Sequence, residues 1–120
     1  MKVAFTTSGQ TLDAPLEPRF GRAPCFLVDD LETGELTVID NTQSLNAAQG
    51  AGIHAAEIVI RAGAQSVVSG HFGPKAFRVM AAAGIEMFTT DAPTVADALA
   101  RFRSGTLKRA TAADVEGHWV

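Results

Sequence analysis

What this chain lacks narrows it quickly. Its 120 residues hold one cysteine, so no internal disulfide can form and a reducing compartment is expected. No apolar run is long enough to span a bilayer. The opening Lys2-Val3-Ala4-Phe5 lacks the organisation of a signal peptide, so a cytoplasmic protein without membrane contact is expected. Basic charge is scarce: ten Lys and Arg against thirteen Asp and Glu give a net charge of −3. That balance argues against nucleic acid as a partner. No His/Cys pair has the close spacing of a structural zinc site, and there is no internal repeat. With 47% hydrophobic and 19% charged residues, the chain reads as one ordinary globular domain with a single core.

The apolar patterning predicts elements in the order β-β-β-α-β-α-β-α. Met1 to Thr7 reads as a buried strand, Cys25 to Asp29 as a second and Glu35 to Asp40 as a third. A turn at Gly34 makes the last two an antiparallel hairpin. From Gly50 the period lengthens, with Ile53, Ala56, Glu57, Ile60 and Ala64 on one helical stripe and Gly63 as a left-handed cap. Ser66 to Gly70 is a short buried strand. Pro74 opens a helix with Phe77, Met80, Ala81 and Gly84 turned inward, and Ile85 to Thr89 is a fifth strand. Thr94 and Asp97 form a capping box for a helix that Gly105 stops. The domain is expected to span 1–107. Residues 108–120 read as a polar, loosely held tail containing His118 and Trp119.

Right-handed crossovers make the last two strands parallel. The simplest arrangement is an α/β, ribonuclease H-like three-layer fold: a five-stranded mixed sheet, order 3-2-1-4-5, with strand 2 antiparallel. Its order reverses between strands one and four, and ligands favour the crevice beyond the carboxyl ends at such a point. The exposed third strand leaves a monomer and a weak homodimer both open.

Three glycine-punctuated junctions converge at that edge: Pro18 to Phe26, Gln49 to His54 and Ser69 to Pro74. Glycine lets backbone N–H groups approach a ligand, and a helix N-terminus favours anions. The candidate cofactor-binding residues are Ser8, Gly9, Arg19, Phe20, Gly21, Arg22, Gly50, Gly52, Gly70, Phe72 and Gly73. Cys25, His71 and His54 are the candidate metal ligands. Cys25 is either a small buried hydrophobe or a thiolate whose pKa Arg19 and Arg22 would lower. His71 projects from the end of a core strand, whereas His54 either ligates or faces solvent. Met80 and Met87 read as core filler.

In this order and spacing, several pieces resemble the dinitrogenase iron-molybdenum cofactor biosynthesis family, whose members include cofactor carriers and small orange metal-cluster proteins. They are Arg19-Phe20-Gly21-Arg22-Ala23-Pro24-Cys25-Phe26, Gly50-Ala51-Gly52-Ile53, Gly73-Pro74-Lys75-Ala76-Phe77, Ala82-Ala83-Gly84-Ile85, Thr94-Val95-Ala96-Asp97-Ala98-Leu99 and Gly105-Thr106-Leu107-Lys108. The resemblance implies a non-catalytic domain that holds the iron-molybdenum cofactor or another Mo-, Fe- or Cu-sulfur cluster. A cofactor-assembly or acceptor protein would be its partner. One residue departs from the family motif: Arg19 stands where His is usual. Guanidinium offers a metal no lone pair, but it strengthens a charge-based hold on an anionic cluster.

Two other readings compete. A metal-dependent nuclease needs clustered carboxylates on the central strands, where this chain has Phe5, Thr6 and Thr7. A ligand-free regulatory or scaffold domain fits the missing histidine. The Gly-Ala-Gly piece lacks the full dinucleotide-binding spacing, which excludes a nucleotide-binding Rossmann domain.

Overall fold

Side chains two residues apart on a strand enter the same layer, and that alternation sorts the apolar residues into two cores. The computed structural model describes residues 1–45 and 50–112. Strands β1 (Lys2–Thr7), β2 (Cys25–Asp30), β3 (Leu36–Asp40), β4 (Ser66–Ser69), β5 (Glu86–Thr89) and β6 (Lys108–Arg109) form one sheet. Its order is β3-β2-β1-β4-β5-β6. Ala4, Phe26, Val28, Val67 and Met87 enter one core, shared with helices α2 (Ala51–Arg61) and α3 (Pro74–Ala82). Val3, Phe5, Leu27 and Val68 enter the other, closed by α4 (Val95–Ser104). A short helix α1 (Thr42–Leu45) and a 3-10 turn at Phe20–Arg22 complete the elements.

β1, β4 and β5 run parallel, while β2 is antiparallel to β1 and β3 to β2. This is the expected order with one strand added. Five strands were expected, but Lys108–Arg109 pairs antiparallel with β5. Leu107 packs against the α4-side core, and the Ala110 amide donates to the Met87 carbonyl at 2.8 Å. These contacts on either side hold a charged dipeptide in the sheet. Two exposed cationic residues carry no apolar alternation, so the patterning could not reveal them.

The helices α2, α3 and α4 match their expected spans, whereas α1 was not expected, and two buried faces differ. α2 buries Ala51, Gly52, Ala55, Ala56 and Val59, while Glu57 is exposed and Ile53 and Ile60 are half-buried. Small residues let α2 lie close to the sheet and α3, and the bulkier isoleucines fill the flanks. α3 buries Ala76 and Met80; Ala81 and Gly84, expected inside, are exposed. Thr94 caps α4, its Oγ1 accepting from the Asp97 amide at 3.1 Å, and Gly105 ends it at φ +74°. Among the described residues no helix is long and apolar enough to cross a membrane.

Candidate functional site

The site begins with two buried hydroxyls at the end of β1. Thr6 and Thr7 are fully buried, and buried hydroxyls need partners. Thr6 Oγ1 donates to the Glu17 carbonyl at 2.7 Å and Thr7 Oγ1 to that of Pro15 at 2.9 Å. The Glu17 amide donates to the Thr6 carbonyl at 2.9 Å, and the Phe20 amide to the His71 carbonyl at 3.1 Å. Residues 15–20 therefore form a strap between the end of β1 and the chain leaving β4. The expected crevice between strands one and four is filled by the protein's own backbone. The contact is tight: a methyl on Gly70 would lie 2.6 Å from the Pro18 carbonyl oxygen and 2.8 Å from its Cα.

The strap orients two of the candidate residues. Arg19 and His71 form a parallel bridge, and residues paired in this way project to the same side. Their neighbours Phe20 and Phe72 enter the α2–α3 core, ring centroids 5.5 Å apart, with Phe26 5.4 Å from Phe20. Phe20 and Phe72 are thus anchors in the interior that hold Arg19 and His71 at the outer side.

Beside the strap, beyond the ends of β4 and β5, lies an open groove of about 580 Å³. Its lining includes Pro18 of the strap, Gly70 and His71 after β4, Thr89, Asp91 and Pro93 at and after the end of β5, and Lys108 of β6. Asp91 is the one carboxylate among its lining residues, and Arg101 Nη1 holds it at 2.8 Å. That hydrogen bond, with the guanidinium charge, lowers the Asp91 pKa below its ordinary value. Lys108 was assigned to a tail on sequence. The signal that placed it here is Leu107, the apolar residue that docks just before it.

The remaining candidates lie outside the groove. Gly21 packs on α2, where an added Cβ would meet the Gly52 Cα at 3.0 Å, and Arg22 stands half-buried beside this contact. Gly50 precedes α2 at φ +78°, a conformation that favours glycine, and His54 is exposed on the first turn. Gly73 precedes α3 with an extended backbone. Ser8 is exposed, and Gly9 sits against Ala14. Gln49, His118 and Trp119 lie outside the described residues.

Cys25 sits at the same end of the sheet, opposite Thr7, yet away from the groove. Its thiol donates to the carbonyls of Gly9 at 3.0 Å and Thr7 at 3.4 Å. Burial, and then the Asp40 carboxylate, raise its pKa above the ordinary 9.0. Of the two readings of Cys25, the structure has the small buried residue; the lowering that the thiolate reading expects is reversed, because desolvation disfavours the ionised form and the Asp40 charge adds to it. Among the described residues no group of three or more His, Cys, Asp or Glu is placed to hold a metal ion. The groups at this end include cationic side chains, the imidazoles of His54 and His71, and backbone amides.

Comparison with known proteins places the chain. The family profile described as dinitrogenase iron-molybdenum cofactor matches residues 1–105. An uncharacterized protein of Methanocaldococcus jannaschii is 28% identical over 112 residues, 91% of each chain. The apo form of the orange protein from Desulfovibrio gigas superposes with a TM-score of 0.92 at 37% identity, over 95% of this chain and 96% of that one. A NifB-like protein from Thermotoga gives a TM-score of 0.84 at 28% identity, over 95% and 97%. The chain belongs to the dinitrogenase iron-molybdenum cofactor family.

Proposed function

We propose that this family member is a carrier, not an enzyme, which holds an anionic metal-sulfur cluster at the groove beside the strap. The cargo is the iron-molybdenum cofactor or a related molybdenum, iron or copper cluster. The carrier works in the cytoplasm and passes the cluster to a cofactor-assembly or acceptor protein. The observation that carries this reading is the backbone pairing of Arg19 with His71, a residue that lines the groove. Family membership and the orange protein, whose apo form implies a bound group, support it.

The hold is chiefly electrostatic. Arg19 presents a fixed positive charge and a planar fork of N–H donors to an anionic face. His71 either donates a hydrogen bond or supplies a single ligand to a metal. Arg22 and the amides at the start of α2 extend the favourable field toward the far side of the strap. Cys25 lies apart from the groove lining, its thiol donating to the Gly9 and Thr7 carbonyls. A cluster held by charge and at most one side-chain bond leaves readily, which suits a carrier. We read the three-layer architecture as ribonuclease H-like.

Reconstitution with molybdate, sulfide and iron or copper tests this. The expected product is a coloured protein that retains metal in fixed stoichiometry. Arg19→Ala and His71→Ala should each lower retention at least several-fold with unchanged circular dichroism. A colourless wild-type protein without metal would overturn the reading. The second reading, a ligand-free regulatory or scaffold domain, rests on the lack of a three-residue metal-ligand group among the described residues, and that outcome would favour it.

A further inference from the structure

We infer that Lys108 is a ligand-binding and specificity-determining residue of the groove, acting with Arg19 and His71 on a multiply charged anion. The inference rests on the carrier reading and extends it to a residue that the chain's patterning assigns to a tail. Ser69 pairs with Thr89 and Thr89 with Lys108, so these three residues form one row across β4, β5 and β6. Adjacent strands stand about 4.8 Å apart, so Lys108 lies about 10 Å from the β4 backbone. The strap lies on the opposite side of β4, toward β1. Lys108 and His71, which both line the groove, therefore stand on opposite sides of β5, with Arg19 paired to His71.

This spacing decides what the groove discriminates. A small monoanion engages one end at a time, whereas a cluster of several sulfides and two or more negative charges meets both. The one lining carboxylate, Asp91, is held by Arg101, which offsets its charge, and Lys108 is the one Lys or Arg among the residues that line the groove. Arg109, the other residue of β6, projects to the opposite face of the sheet by strand alternation and lies 3.6 Å from Glu86. The same two-residue strand thus supplies one cation to the groove and one to an unrelated ion pair. This gives an internal control.

Equilibrium dialysis of the full chain against tetrathiomolybdate, with molybdenum quantified on each side, is the test. Lys108→Gln should raise Kd about fivefold, an effect moderated by solvent screening at this exposed position. Its affinity should also fall less steeply with added salt. Lys108→Arg should stay within about twofold of wild type, and so should Arg109→Gln, which removes the same net charge. Equal weakening by Lys108→Gln and Arg109→Gln would overturn the inference, since only overall charge would matter. An unchanged Kd for Lys108→Gln, beside weakened Arg19→Ala, would overturn it while sparing the carrier reading. A wild-type chain that takes up no thiomolybdate would overturn both.

Discussion

At Gly70 a single methyl group decides whether the strap can sit against β4. An added Cβ would lie 2.6 Å from the Pro18 carbonyl oxygen, and backbone on both sides gives little room to yield. Gly70→Ala should therefore destabilise the fold by about 1–3 kcal/mol, read as a lower urea midpoint. An unchanged midpoint would mean that the strap lifts without cost. Cys25 makes the second prediction at this scale. Its folded pKa lies above the ordinary 9.0. Its contribution to stability is thus complete below that pH and is lost as pH rises through the folded value. As pH rises through and beyond 9.0, wild type should lose stability faster than Cys25→Ala, and the thiol should alkylate slowly at neutral pH. Parallel stability curves would contradict a shielded thiol. Neither feature was fully legible in the sequence: Gly70 looked like a ligand-approach glycine, and Cys25 read equally as a small buried hydrophobe or as a thiolate near arginines. Which atoms meet them depends on segments many residues away.

At the level of elements, local signals were strong and long-range ones weak. The Thr94 cap, the Gly63 and Gly105 left-handed ends and the β2–β3 hairpin all follow from residues close together in the chain. The 3-10 turn at Phe20–Arg22 does not. It exists because Phe20 docks between Phe26 and Phe72 while Gly21 rests on Gly52. Phe20→Ala should cost about 3–5 kcal/mol, and hydrogen exchange should show residues 15–20 losing protection more than α4. Uniform loss of protection would argue against a locally anchored strap. The inward stripes of α2 and α3 were misjudged for a related reason. A run rich in Ala and Ile is apolar on most sides, so only the neighbouring layer selects the face that is buried.

For the whole molecule, strand order follows from the alternation of strands and helices with right-handed crossovers, and the chain forms the expected sheet plus β6. The candidate residues also gather at one end of the sheet, because parallel strands finish together. Of these, Gly70 and His71 line the groove together with Lys108, whereas Arg22, Gly50, His54 and Cys25 are not among its lining residues. The sequence by itself determined the main elements, their order and the end of the sheet at which the candidate residues gather, since periodicity, caps and crossover handedness are properties of local chain chemistry. Tertiary structure alone decided that the switch-point crevice is closed, that a neighbouring groove replaces it and that Lys108 borders it. Those outcomes depend on buried hydroxyls finding distant carbonyls and on backbones meeting at van der Waals distance.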